Sequence, residues 1–477
     1  MKVLFVASEA YPFIKTGGLG DVAYALPKAL RKLGIDVRVI IPKYSLIPLS
    51  FKNCMENIAS FNVEVGWRNQ YCGLQYITYD DVPYYFVDNE YYFKRPEIYG
   101  FYDDGERFSY FSKAVMEAIK HMGDFTPDII HCNDWHCGIV PVLLKENYSD
   151  DYGYSKIKSL FTIHNLKYQG IFSKDILGEL LNLDQKYFND DAMKFYEDIS
   201  FMKGGIVFSD AVSTVSDTYA REILTPFYGE DLDELLTSKA EKLHGIENGI
   251  DYEIYNPKMD EKIFYNYDAF HRQQKMKNKL KLQEKLCFII NKDIPMMGIV
   301  TRLVKQKGLD LIVDKLEELL GLDIQIVLLG YGSGYYEEIF EHYASLYPSR
   351  ISTNIVYDEE LAQQIYAASD MFLMPSLIEP CGIGQLIALK YGSIPIIRET
   401  GGLKDTIIPY DKNTGTGNGV SFINYNSEEL LDAVNRALNL YKDKTTWDKL
   451  VQNAMLSNNS WENSAKNYIR LYNKITK

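Results

Sequence analysis

The chain has few cysteines, no long apolar run and no surplus of positive charge, and each shortage removes a class of function. Its six cysteines (Cys54, Cys72, Cys132, Cys137, Cys287 and Cys381) in 477 residues form no C-x-x-C pair. That argues against a disulfide framework and for reduced thiols, as expected of a cytoplasmic protein. His131 and His136 flank two of the cysteines, but no second Cys/His pair follows at zinc-finger spacing, so no metal is expected. No stretch reaches the roughly 18 apolar residues of a membrane span. Met1–Ala7 carries one charge on an apolar run too short for a leader peptide, and it reads on into structure. Basic residues number 51 against 65 acidic ones, a net charge of −14 with pI near 5.1. Nonspecific binding to nucleic acid or an anionic membrane is therefore not expected, although a local basic site for a phosphate remains open. The dinucleotide signature G-x-G-x-x-G is missing too, and no acid closes a second strand, so no nicotinamide or flavin cofactor is expected.

What is present suits a large α/β protein. At 46% hydrophobic over 477 residues, two or three domains can each bury a core. Aromatics make up 14%, with 38 tyrosines; such rings suit sugar stacking, though most should be core or surface filler. Lys2–Ala7 reads as a strand buried on both faces. A loop carrying Lys15-Thr16-Gly17-Gly18-Leu19-Gly20 follows, with Asp21 as the expected cap of a helix that Gly34 ends. Pro27 should bend or shorten that helix. Val37–Ile41 completes a β-loop-α-β opening of Rossmann type. Two glycines beside a lysine at a helix start suit close backbone approach by a phosphate or a sugar; the alternative is a glycine-rich turn with a solvated lysine.

Residues 60–110 read as strands plus a long loop. Asp128–Asp134 and Ser159–Asn165 are apolar strands that end in polar residues: Asp134-Trp135-His136 follows the first, and His164-Asn165 closes the second. Ligands of open α/β sheets sit at the carboxyl ends of strands, where a histidine can hold a hydroxyl or a developing charge or serve only as a structural hydrogen-bonding residue.

Turn-rich Gly245–Asp251 marks a boundary, dividing the chain into residues 1–245, 246–457 and a terminal helical piece, 458–477. The second part again alternates strand and helix: Pro295–Thr301, a helix Leu309–Leu320, Gln325–Leu329, Asn354–Val356, a helix Glu359–Ala368, then Met371–Met374 and Ser393–Ile397. After Met374 comes Pro375-Ser-Leu-Ile-Glu379-Pro-Cys-Gly382, leading into a helical pattern. A turn of that kind offers backbone N–H groups to an anion, which makes Glu379 a functional candidate rather than a solvated loop acid. Thr16-Gly-Gly-Leu-Gly-Asp21 recurs as Thr400-Gly-Gly-Leu-Lys-Asp405, one mismatch in six, once in each half. Trp461, Ala465, Tyr468, Ile469 and Tyr472 lie at helical spacing in the last segment.

Seven motifs carry a family resemblance: Lys15–Leu19, Asp134-Trp-His136, His164–Gly170, Asn248-Gly-Ile-Asp251, Arg302-Leu-(x)3-Lys307-Gly308, Glu379-Pro-Cys-Gly382 and Thr400-Gly-Gly-Leu403. In this order the chain resembles the bacterial glycogen synthases and plant starch synthases, retaining glycosyltransferases of the GT-B fold. The resemblance implies an α/β protein with two Rossmann-like domains facing a deep interdomain cleft, acceptor glucan on the first domain, nucleotide sugar on the second, and a C-terminal helix crossing back to the first. It implies transfer of glucose from ADP-glucose to the non-reducing end of glycogen or a malto-oligosaccharide primer, without a metal or other cofactor. Arg302 and Lys307 would then hold the donor phosphates, Tyr357 would stack on adenine, and Gly382, Gly402 and Leu403 would offer backbone N–H groups. Lys15 and Gly18 would approach the distal phosphate. Gly17, Asn248, Cys381, Thr400 and Gly401 would complete the donor side; Asp21, Asp134, Trp135, His136 and Asn165 would lie on the acceptor side. His164 would accept from the glucose 6-hydroxyl and stabilise positive charge on the ring. Two departures stand out: Gly384 replaces a side chain such as Thr, and Gly330–Gly334 lacks a following acid. Eight residues beyond Glu379, where related retaining enzymes carry a second Glu, stands Ile387. This favours Glu379 as a sugar-positioning residue in a front-face transfer over a nucleophile.

Overall fold

The computed structural model describes every residue except Tyr152. Two compact units emerge: Met1–Asn248 with Trp461–Lys477, and Gly249–Ser460. The first is built on a nine-stranded sheet whose order, edge to edge, is Leu243–Gly245, Ala211–Thr214, Lys158–Ile163, Ile129–Asn133, Lys2–Val6, Asp36–Pro42, Val82–Asp88, Arg68–Tyr79 and Glu56–Val65. The first seven strands are parallel, and the last two fold back as an antiparallel hairpin. The central strands are continuous apolar runs because helices cover both faces. The second unit holds a six-stranded, all-parallel sheet: Ile351–Asn354, Gln325–Leu329, Met296–Val300, Met371–Met374, Ile394–Arg398 and Val420–Phe422.

In each sheet the first strand of the unit lies inside, with later strands added on both sides. The order reverses between Lys2–Val6 and Ile129–Asn133 in the first unit, and between Met296–Val300 and Met371–Met374 in the second. The two loops that leave a reversal point diverge to opposite faces and leave a crevice, the usual ligand site of such sheets. The loops there are the ones that carry Lys15 and Asp134, and Arg302 and Glu379.

Several local readings need correction. The first long helix is Gly18–Lys32 with Gly17 as its cap, so Asp21 lies inside the first turn, where its charge complements the helix dipole. Pro27 does not shorten it: the ring is buried on the core side, and the helix continues to Lys32. Leu309–Leu320 is two helices, Leu309–Asp314 and Leu316–Gly321, because Lys315 leaves helical geometry and turns its ammonium to Glu318 and Glu428. Asn354–Val356 belongs one step earlier, as Ile351–Asn354, and Val420–Phe422 adds a sixth strand. The stretch after residue 90 is not merely a loop, since Asp104–Ala118 is a helix whose polar Arg107 is fully buried on Asp104 and two backbone carbonyls. Sequence periodicity misses it because charged residues occupy its buried face.

The last helix, Trp461–Ile475, buries Trp461, Ala465, Tyr468, Leu471 and Tyr472 within the first unit, against helix Gly18–Lys32. Ile469, expected in that stripe, is only half-buried, and Leu471 takes its place. The Tyr472 hydroxyl lies 2.8 Å from His131 Nδ1 on a central strand. Burying each large side chain stabilises by about 1.5–3 kcal/mol, so the helix is integral to that unit.

Candidate active site

In the second unit, three strand-end loops are knitted together around Glu379. Gly308 has φ +74, and a Cβ there would lie 2.0 Å from the Pro375 carbonyl oxygen, so only glycine allows the two loops to touch. Leu377 N–H donates to the Gln306 carbonyl at 2.9 Å. On the other side, Gly402 N–H donates to the carbonyls of Glu379 (3.2 Å) and Pro380 (3.1 Å). Gly401 has φ +43, and its added Cβ would fall 2.0 Å from the Glu379 carbonyl. The buried Arg398 guanidinium donates to the Ser376 and Leu377 carbonyls at 3.1 and 2.8 Å, closing the turn from beneath.

The Glu379 carboxylate is buried. It accepts from Lys307 Nζ at 2.9 and 2.7 Å on its two oxygens, and from Ser376 Oγ at 2.9 Å. Lys307 and Glu379 therefore form one charged unit, an arrangement the sequence reading did not foresee when it assigned them separate tasks. Arg302 is exposed and, among the described residues, has no carboxylate partner. Tyr357 is mostly exposed, with its hydroxyl 2.8 Å from Glu359. Cys381 is buried, and Gly382, at φ +76, packs on the Gln385 side chain, whose amide donates to the Cys381 and Gly382 carbonyls. Thr400 caps the short helix Gly401–Thr406, with Leu403 buried in it.

Both departures from the family pattern have a local explanation. A Cβ on Gly384 would lie 3.2 Å from the Tyr366 hydroxyl and 3.4 Å from Met374 Sδ, so the tyrosine occupies the room a larger residue would need. The loop Gly330–Gly334 recovers an acid from farther along, as Glu337 accepts from Gly332 N–H at 2.7 Å. Ile387 is buried in helix Gly384–Tyr391 and offers no second carboxylate.

In the first unit, the loop after Lys2–Val6 is organised by a residue that sequence reasoning passed over. Glu9 is 2% exposed and accepts from Thr16 N–H (2.8 Å), Thr16 Oγ1 (2.8 Å) and Gly20 N–H (3.1 Å). Burial pushes its carboxyl up from the usual range, and the three donors pull it back only in part. Its only sequence signal is an acid two residues beyond an apolar strand. Lys15 and Asp21 form an ion pair at 3.0 Å. Gly17 is extended with nothing within 4 Å of an added Cβ, unlike Gly401, so the repeated Thr-Gly-Gly-Leu motif hides two different backbones.

Asp134 sits at φ +57 and accepts the His164 backbone N–H at 2.8 Å. Burial pushes its carboxyl up to about 7, against the opposing pull of backbone hydrogen bonds from His164 and Asn165. His164 Nε2 lies 2.9 Å from Asn133 Oδ1. Asn133 Nδ2 donates to the Val6 and His131 carbonyls, which orients the amide and makes His164 Nε2 the protonated nitrogen. Burial pushes the His164 imidazole down to about 3, so it is neutral at physiological pH and its Nδ1 carries a lone pair. Trp135 stacks on His136 at 3.9 Å, and a Cβ on Gly170, at φ +60, would meet the Trp135 ring at 2.3 Å. Asn165 Oδ1 accepts from Lys167 N–H at 3.1 Å, and the Asn248 Oδ1 is buried without a hydrogen-bond partner among the described residues. Neither histidine beside the cysteines is placed for a metal: His131 spends both ring nitrogens on Tyr472 and Thr162, and His136 is stacked in the core.

Known proteins match both units of the chain. A family model described as the starch synthase catalytic domain matches residues 2–238, and one described as glycosyl transferases group 1 matches 274–454. A glycogen synthase of Clostridium acetobutylicum is 60% identical over 476 residues, and one of Caldicellulosiruptor saccharolyticus is 56% identical over 478; the matches cover 100% of both chains in each case. Among solved structures, the catalytic domain of starch synthase IV from Arabidopsis thaliana, bound to ADP and acarbose, superposes with a TM-score of 0.92 at 35% identity, covering 99% of each chain. The sucrose-phosphate synthase of Thermosynechococcus elongatus, at 17% identity and a TM-score of 0.63 over 99% of this chain and 98% of its own, shares the fold alone.

Proposed function

We propose that this chain, which belongs to the glycogen and starch synthase family of glycosyltransferases and elongates glycogen, takes its glucosyl unit from ADP-glucose. The unit passes to the non-reducing end of an α-1,4-glucan with retention of configuration. The observation that carries this reading is the Lys307–Glu379 pair, held at the reversal point of the second sheet beside the Gly401-Gly402 turn.

Glu379 has both oxygens engaged by an ammonium and one by a hydroxyl, which suits an anion that orients sugar hydroxyls and offsets positive charge on the ring. A nucleophile would need a lone pair free to reach the anomeric carbon and a partner carboxyl about 5 Å away. Ile387 stands where that partner would be. The transfer is therefore front-face. The bond from the anomeric carbon to the phosphate oxygen breaks, with its electron pair leaving on ADP. The acceptor hydroxyl adds on the same face, and its proton moves to the departing phosphate. Lys307 spends two of its three N–H groups on Glu379 and keeps one for that phosphate, and Arg302 supplies a second cation. These two charges take the part a metal ion plays in other phosphate-releasing sites. His164, neutral with a free Nδ1 lone pair, is an acceptor for a glucose hydroxyl.

The ADP reading rests on likeness to a structure that holds ADP. A cytoplasmic location is part of the same reading: all six cysteines are free thiols, and among the described residues no helix is long and apolar enough to cross a membrane. Incubation with glycogen and either ADP-glucose or UDP-glucose, with coupled assays for each released diphosphate, tests the donor. ADP release is expected; release of UDP alone would reject it. Trapping a glucosyl adduct on any carboxylate would reject the front-face route.

A further inference from the structure

We infer that Tyr366 is a donor-binding residue: its hydroxyl donates a hydrogen bond to the diphosphate of the nucleotide sugar, where Gly384 leaves no side chain to do so. The starting observation is a glycine without a backbone reason. Gly384 opens helix Gly384–Tyr391 directly after the Glu379-Pro-Cys-Gly382 turn, and unlike Gly382 and Gly392 it is not at positive φ. Other residues could adopt its backbone, so what a side chain there lacks is room. An added Cβ would lie 3.2 Å from the Tyr366 hydroxyl, 3.4 Å from Met374 Sδ and 3.5 Å from Phe372 Cε1. The nearest of these atoms is polar.

Independently, that hydroxyl is unused. Tyr366, on helix Glu359–Ala368, is only 5% exposed, yet among the described residues its hydroxyl has no hydrogen-bond partner. Buried phenols normally find one. The residue is also held still. Its carbonyl accepts from Ser393 Oγ at 2.7 Å and Lys275 Nζ at 3.3 Å, and its ring packs on Phe372 with centroids 4.8 Å apart. A side chain already ordered loses little freedom when a ligand arrives. Burial pushes its phenol further up, so the proton stays on and the group can donate. The surroundings select the ligand class. The first turn of helix Gly384–Tyr391 begins with Ile387 N–H donating to the Ile383 carbonyl at 3.0 Å. The N–H groups of Gly384, Gln385 and Leu386 therefore have no internal acceptor among the described residues. Backbone N–H groups, the positive end of a helix dipole and a phenolic O–H make a site of donors, which suits phosphate oxygens. Taking that phosphate to be the nucleotide sugar's rests on the donor reading above.

Calorimetric titration of the full chain with ADP and with UDP reads the contact without turnover. Tyr366→Phe should weaken ADP binding about tenfold, the low end for a hydrogen bond to a charged group. The KM for ADP-glucose should rise by a similar factor with kcat within about threefold, since the diphosphate is anionic both before and during transfer. Without nucleotide, the thermal midpoint of Tyr366→Phe should match wild type, because the hydroxyl has no internal bond to lose. Tyr366→Phe/Gly384→Ser returns a hydroxyl from the facing wall and should recover most of the lost affinity. Equal ADP affinity in wild type and Tyr366→Phe would overturn the proposal. So would a lowered midpoint in the free protein without recovery in the double variant, which would make the hydroxyl a packing element. If the wild type binds UDP and not ADP, and Tyr366→Phe weakens UDP by the same factor, the hydroxyl's role stands and the ADP reading fails.

Discussion

Replacing both members of the Lys307–Glu379 pair should cost less than the two single replacements added together. Their nearest atoms lie 2.7 Å apart, with side chains only 17% and 8% exposed. With an effective dielectric of about 20, the attraction is about 6 kcal/mol, most of it offset by taking two charges out of water. Glu379→Gln leaves a largely buried ammonium facing a neutral amide, and Lys307→Met leaves a carboxylate with Ser376 alone. Each should lower stability by about 3 kcal/mol, the low end for a broken buried pair. The double variant loses both charges together, so it should lie about 2 kcal/mol above the sum of the singles. Urea unfolding followed by circular dichroism on the four proteins completes the cycle. A coupling below about 0.5 kcal/mol is the level of independent sites and would refute the idea that the two act as one charged unit. All three variants should also lose about 10²–10³-fold in kcat, the usual cost of a removed charge-stabilising group. Normal glucan synthesis by Glu379→Gln would reject its placement at the reacting sugar.

Other expectations follow from the same geometry. Asp134 has its carboxyl raised to about 7, so the folded state holds a proton that the unfolded chain releases near pH 4. This stabilisation is complete below pH 4 and is lost as pH rises through 7; Asp134→Asn should remove that slope, read as thermal midpoints at pH 5 and pH 8. A wild-type advantage over Asp134→Asn that grows with pH would contradict the assignment. Gly401→Ala places a Cβ against the Glu379 carbonyl at positive φ and should cost about 2–4 kcal/mol, whereas Gly17→Ala should stay within about 0.5 kcal/mol. Equal effects in thermal unfolding would mean the two turns are alike after all. Tyr472→Phe strips His131 Nδ1 of its buried partner and should destabilise by about 1–3 kcal/mol. An unchanged midpoint would show that water or another group takes over.

Much of the fold was legible because the apolar runs in this chain are long and sharply bounded. Gln325–Leu329, Met371–Met374 and helix Glu359–Ala368 fall where periodicity and capping predict them. Helix Asp104–Ala118 escaped notice since its buried face carries Arg107, Asp104 and Lys113, which pattern reading counts as surface. The loops bearing candidate residues were recognisable from strand ends and glycine turns. Their internal wiring was not. Glu9 meets Thr16 and Gly20 only after the loop doubles back, and Asn133 meets His164 only because two strands lie side by side. Lys307 reaches Glu379 across 72 residues for the same reason: strand order, which no local pattern encodes, decides the contact. The repeated Thr-Gly-Gly-Leu motif marks the converse limit, since identical letters adopt different backbones under different neighbours.

The helix Trp461–Ile475 gives the protein an order of assembly. During synthesis, residues 1–248 leave the ribosome lacking the partner for His131 and the cover for helix Gly18–Lys32, and they must wait while the whole of Gly249–Ser460 is made. The second unit, a contiguous segment, can fold as soon as it emerges. The first is finished only by the last helix. A chain ending at residue 460 would therefore join a complete Gly249–Ser460 unit to an incomplete first one, so the first unit can close only after the second has been made.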